Sequence, residues 1–236
     1  MGPPVRIIVC LHASPPGGQP LAENDREAIR LARALGDEHE LIALLAGTKE
    51  ETAPLQAALA AGVDRAARVS GESFAAADFH TLGQVLGSAA RTLGAELILG
   101  GARSDTDGLG ALTASIARHT GLPHLANIES LEWGAPPPLL LAVSVRSEGR
   151  KRRLGIGLPF VMSVSRATAA SDGAPPPAAR PPDPTRSIET LALFDPEVTV
   201  IRRRTEIMGS SAAAERPARA VTSASELVAA LTRQGD

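Results

Sequence analysis

The stretch Leu97–Pro123, LILGGARSDTDGLGALTASIARHTGLP, decides how the chain is read. Leu97 to Leu99 form a short apolar run that stops at Gly100 and Gly101. A small, polar loop follows, after which Leu109, Leu112 and Ile116 recur at helical spacing. Strand, glycine turn and helix in that order is how a parallel α/β sheet builds an anion pocket. Glycine lets backbone N–H groups approach a ligand, and the helix N-terminus adds partial positive charge. The letters carry no stronger signature. Gly108 and Gly110 are followed by Thr113 where G-x-G-x-x-G needs a third glycine, and G-K-[ST] occurs nowhere. An ordinary turn in which Asp105 or Asp107 caps the helix fits the same residues.

Upstream, the same unit repeats. The apolar run Val5–Leu11 reads as a strand covered on both faces, and it ends in the loop His12-Ala-Ser-Pro-Pro-Gly-Gly. A helix follows, with Asn24 or Asp25 as N-cap, an apolar face of Ala28, Ile29, Ala32 and Leu35, and Gly36 as its stop. Leu41–Leu45 is a second buried strand. Gly47-Thr48 opens another helix, with Thr48 and Glu51 in capping-box spacing, Leu55, Ala58 and Leu59 on its apolar face, and Gly62 at its end. Ala66–Val69 reads as a short strand and the stretch from Phe79 to Leu93 as a helix. Strands alternating with helices predict a mainly parallel, twisted sheet flanked by helices.

Past Pro123 the texture changes. Leu139–Val145 and Leu154–Ser165 read as antiparallel strands joined through Ser147-Glu148-Gly149, an edge hairpin whose basic residues Arg150 to Arg153 fit a solvated turn. From Ala167 to Arg186 the sequence is rich in alanine and proline and predicts an extended arm. Beyond it lie strand-like pieces at Thr190–Leu193 and Val198–Ile201 and a short amphipathic helix at Ser225–Leu231. The expected division is therefore an α/β domain over 1–166, an arm over 167–186 and a partner-docking tail over 187–236.

Composition excludes several functions. With 24 basic and 26 acidic residues and a pI near 6.2, the chain has no field to attract nucleic acid or an anionic membrane. Aromatics make up 2% and tyrosine is absent, so little is available to stack on bases. Cys10 is the single cysteine, which rules out internal disulfides and fits a small core residue better than a nucleophile. The five histidines stand at no metal-ligand spacing, and no catalytic constellation is present. Without a signal sequence or a run long enough to span a bilayer, the expected compartment is the cytoplasm.

Several segments, taken in order, resemble the beta subunit of electron transfer flavoproteins. They are VRIIVCLHAS at the first strand, N-D-x-E-A-I-x-x-A-x-A-L from Asn24 to Leu35, the run Ala57-Ala-Leu-Ala-Ala-Gly-Val-Asp-Arg65, and GARSDTDGLG from Gly101 to Gly110 leading to Gly121-Leu-Pro123. Leu158-Pro159 before a final strand continues the match. The resemblance implies a Rossmann-like fold and a non-catalytic subunit that pairs with an alpha subunit. That partner carries most of the contacts to FAD, while the beta-type chain holds AMP, or a second FAD in bifurcating members. It further implies electron passage between a flavin dehydrogenase and a quinone reductase or similar acceptor. The nucleotide site it implies draws on Cys10, on Ala22, Asn24 and Asp25, and on Ala46 and Gly47. It also takes in Gly101, Ala102, Arg103, Ser104, Asp105, Thr106, Asp107, Gly108, Leu109, Gly110, Ala111 and Leu112.

The chain departs from the family pattern in three places. Gly110, Ala111 and Leu112 stand where the family has polar side chains around phosphate, so backbone N–H groups and the helix dipole remain. The loop after the first strand is short, and Ala169–Arg186 lacks the leucine anchor and lysine run that dock acyl-CoA dehydrogenases. Two other classes share parts of the pattern: a free-standing adenine-nucleotide sensor of the universal-stress-protein kind, and an interaction protein with an empty site. The first needs a G-S/T after Gly110 that is absent; an ATP-pyrophosphatase would need S-G-G-x-D-S, which Pro15-Pro16-Gly17-Gly18 does not supply.

Overall fold

The computed structural model describes residues 4–13, 18–72, 74, 77–103, 110–134, 139–145, 151–165 and 187–192. Four strands form the centre: β1 (Arg6–Cys10), β2 (Glu40–Gly47), β3 (Arg65–Ser70) and β4 (Leu97–Gly101). They run parallel, with β1 between β2 and β4 and with β3 beyond β2. Their residues are almost all apolar because helices cover both faces. Helices α1 (Glu23–Arg33) and α2 (Ala53–Ala60) pack on one face, where Ile7, Val9 and Leu45 meet Ile29, Leu31 and Leu55. Helices α3 (Phe79–Thr92) and α4 (Leu112–Thr120) pack on the other, where Ile8, Cys10, Ile42 and Leu44 meet Val85, Leu86 and Ile116.

The chain lays down β1, β2 and β3 in one direction, and α3 then carries it back to place β4 on the other side of β1. The strand order therefore reverses between β1 and β4, and an open α/β sheet binds ligands outside the strand carboxyl ends at such a reversal. Beyond β4 the sheet continues with β8 (Phe160–Val164), β5 (His124–Trp133), β6 (Leu139–Val145) and β7 (Lys151–Gly157). β8 is parallel to β4 and β5, while β6 is antiparallel to both β5 and β7. The ninth strand, β9 (Ile188–Leu191), pairs parallel with β3 at the opposite edge. The fold is thus a mostly parallel α/β sheet of Rossmann-like layout with an antiparallel edge.

Four details differ from the sequence reading. Residues 124–133, which it left unassigned, form β5. The expected strand Leu154–Ser165 is two strands, β7 and β8, separated at the cis Leu158–Pro159 bond. Helix α2 begins at Ala53, not at Thr48; the Glu51 side chain still accepts from the Thr48 N–H at 2.7 Å, but in the turn before the helix. Neither Asn24 nor Asp25 caps α1, whose N-cap is Ala22. The strand-like residues from 190 lie in β9 on this chain's own sheet, while the proline-rich arm, Val198–Ile201 and Ser225–Leu231 fall outside the described residues.

Candidate functional site

Parallel pairing fixes which loops share a rim. Cys10 stands level with Leu44 of β2 and Gly100 of β4, and the Leu11 N–H donates to the Leu44 carbonyl at 2.8 Å. One step further, the carboxyl ends present His12 after β1, Ala46 and Gly47 of β2, and Gly101 to Arg103 at the end of β4. The first turns of α1 and α4 close over the same rim.

At the base of this rim lies a buried carboxylate. Asp25, on the first turn of α1, is 0% exposed. Its Oδ2 accepts from the His12 backbone N–H at 2.7 Å, and its Oδ1 accepts from the Gly101 N–H at 3.0 Å. The His12 ring nitrogen Nδ1 stands 2.9 Å from Oδ1, so it carries the proton that faces the carboxylate. The three bonds tie the end of β1, the end of β4 and α1 together at the reversal of strand order. Packing there is tight: a Cβ on Gly101 would lie 2.5 Å from Asp25 Oδ1 and 2.9 Å from Asn24 Cβ. Asn24 Nδ2 reaches the Arg103 carbonyl at 3.3 Å and pins the start of the β4–α4 loop to α1.

The two helix N-termini on the rim differ in charge. α1 carries Glu23 and Asp25 in its first turn, whereas α4 has no acidic residue there and no side-chain cap. The loop returns to α4 through Gly110, at φ +59, where a Cβ would lie 2.2 Å from the Ala102 carbonyl oxygen. Only glycine fits a left-handed turn pressed against backbone in this way. Thr113, on the buried side of α4, fills the space above Gly100, and its hydroxyl lies 3.3 Å from His124 Nε2. Burial pushes the His124 imidazole below its ordinary value.

The structure brings most of the expected site residues to this rim. Ala22, Asn24, Asp25, Ala46, Gly47, Gly101, Ala102, Arg103, Gly110 and Ala111 all line it, while Ser104, Asp105, Thr106, Asp107, Gly108 and Leu109 lie outside the described residues. Two do not present side chains to it. Leu112 is 5% exposed and packs into the core beside Cys10. Cys10 is fully buried, and burial first, with nearby Asp25 second, pushes its thiol far up. Sequence reasoning missed the pairing of His12 with Asp25. The available signal was a carboxylate three residues before Ala28 on the apolar side of the α1 pattern, a position that puts it in the core.

Among the described residues, no group of three or more His, Cys, Asp or Glu side chains is placed to hold a metal ion, and no helix is long and apolar enough to cross a membrane. No curated protein matches the chain. Residues 16–193, well over half of the chain, match the electron transfer flavoprotein domain, and the match takes in β2 to β9, the N-termini of α1 and α4 and the rim loops after β2 and β4. The chain therefore belongs to the electron transfer flavoprotein domain family, whose members carry electrons.

Proposed function

We propose that the chain is a beta-type subunit of an electron transfer flavoprotein. It pairs with an alpha subunit that holds most of an FAD and itself binds an adenine nucleotide, AMP, at the carboxyl rim of its sheet. The observation that carries this reading is the convergence of the α1 start, the β2 end and the uncapped α4 N-terminus on one rim. The first-turn amides of α4 suit the phosphate, and the backbone at Ala46–Gly47 and Ala22–Asn24 suits the ribose and adenine. The residues present fit a nucleotide held mainly by backbone, with Arg103 as the cationic side chain among the described rim residues.

Flavin, when bound, supplies the one- and two-electron chemistry. This chain contributes position: it fixes the nucleotide end of the assembly and leaves proton and electron transfer to others. Electrons would pass between a flavin dehydrogenase and a quinone reductase or similar acceptor. We assign residues 167–186 to an extended arm and 187–236 to partner docking; within the latter, β9 pairs with β3. Native mass spectrometry of the tagged chain, co-expressed with an alpha-type subunit, tests the reading. A 1:1 pair with one FAD and one AMP is expected. A ligand-free monomer refutes it, and a monomer with adenine nucleotide but no flavin favours a free-standing binder.

A further inference from the structure

In doubly wound α/β proteins the first strand-to-helix turn is the usual seat of a phosphate, because the loop amides and the helix N-terminus point at it. Here the described donors at the ends of β1 and β4 are taken. The His12 and Gly101 N–H groups both donate to Asp25, and so does His12 Nδ1. Asp25 Oδ1 sits 2.5 Å from where a Gly101 Cβ would be, which leaves no gap for a ligand atom. The carboxylate also projects from α1's own first turn, so it meets the partial positive charge that an external anion would use.

We infer that Asp25 is a built-in anion that fills the phosphate seat of the β1–α1 turn and sets the ligand specificity of the rim. A phosphate is refused at α1 by like charge and because the His12 and Gly101 N–H groups already serve Asp25. It is accepted only at α4, where the first turn is free of acidic side chains. The rim therefore selects a nucleoside monophosphate over a ligand whose pyrophosphate must cross the β1–α1 turn. This deepens the nucleotide reading above and rests on it.

Two arms test it with the full chain. Calorimetric titration compares adenosine and AMP on the wild type and on Asp25→Asn. The wild type is expected to bind AMP and adenosine, and Asp25→Asn to raise the preference for AMP over adenosine by about threefold or more. A merely structural Asp25 would weaken both ligands alike; an unchanged ratio overturns the inference. The second arm needs no nucleotide. Asp25→Ala is unfolded with urea in sodium formate and in sodium chloride of equal ionic strength. Formate should fill the vacated position and raise the midpoint saturably in the variant alone. Equal midpoints in the two salts, or a variant that folds in neither, overturn it. If the wild type binds neither adenosine nor AMP, the nucleotide reading fails, and the formate arm still decides whether Asp25 occupies an anion seat.

Discussion

Gly83→Ala should destabilise the chain by about 2 kcal/mol, while the same change four residues on, at Gly87, should not. Both glycines lie on α3 where it packs against α4. A Cβ on Gly83 would stand 2.2 Å from Ser115 Oγ, 2.4 Å from Ser115 Cβ and 2.9 Å from the Ser115 carbonyl carbon. The last two atoms cannot rotate away, so the helices must separate. Overpacking of this kind costs about 1–3 kcal/mol, and the upper end applies because backbone is struck; alanine's better helix propensity returns about 1 kcal/mol. At Gly87 the nearest atoms are Thr120 Cγ2 at 3.3 Å and the Ile116 carbonyl oxygen at 3.5 Å, contacts a methyl group tolerates with a small shift. Propensity then dominates, and Gly87→Ala should lie between neutral and about 1 kcal/mol more stable. Urea unfolding followed by the fluorescence of Trp133, the single tryptophan, measures both. With a slope of about 2 kcal/mol per molar urea, the two midpoints should differ by about 1 M. Ser115→Gly, which removes both Oγ and Cβ, should recover part of the Gly83→Ala loss in a double-mutant cycle. Equal midpoints for the two alanine variants would refute the packing argument.

Three further outcomes are expected. Burial, then His80, Arg118 and Arg91, push the His119 imidazole below its ordinary 6.5, and burial alone lowers His124. The unfolded chain therefore binds more protons below that value, and stability, full near neutrality, should fall as pH drops from about 6.5; the double variant His119→Gln/His124→Gln should flatten the dependence, and an unchanged slope counts against it. Cys10, buried with its thiol held up, should resist a disulfide reagent near pH 8 in the native chain and react fully in urea; fast native labelling would contradict its placement. Gly110→Ala puts a Cβ 2.2 Å from the Ala102 carbonyl oxygen at φ +59, so it should abolish AMP binding in calorimetry while the helical circular dichroism persists; wild-type affinity would remove the loop from the site.

The parallel half of the fold was legible because its strands are buried on both faces. RIIVC, LIALLA and LILGG are nearly continuous apolar runs, each ending at a loop of small residues. The antiparallel half was not. In β5 the alternation that marks a half-buried strand is broken by a register shift between Ile128 and Ser130 and by Asn127 at φ +57, and buried Glu129 reads as a solvent residue until Lys151 Nζ is found 3.3 Å from it. The end of the strand is equally hidden: Trp133 donates to the Leu35 carbonyl at the far end of α1, a contact 98 residues apart in sequence. The site shows the same contrast. Which loops share a rim followed from strand order alone, but Asp25 as a cap followed from local propensity, and there tertiary donors on two strands outcompeted the helix's own N–H groups.

That competition explains why a carboxylate is tolerated at 0% exposure. Beyond Cys10 and Gly100 the ladder between β1 and β4 runs out, and the N–H groups of His12 and Gly101 face no strand partner. Left unpaired in a dry crevice, each would cost about 1–3 kcal/mol. Water could satisfy them only by opening the crevice, and a phosphate only while bound. Asp25 satisfies both permanently and draws the His12 ring in as a third donor, so the base of the crevice stays closed whether or not a ligand is present. These bonds thereby hold β1, β4 and α1 together at the base of the rim. On the proposed reading, a nucleotide on this rim meets backbone already fixed by Asp25, so the base needs no rearrangement on binding and the ordering cost of association falls.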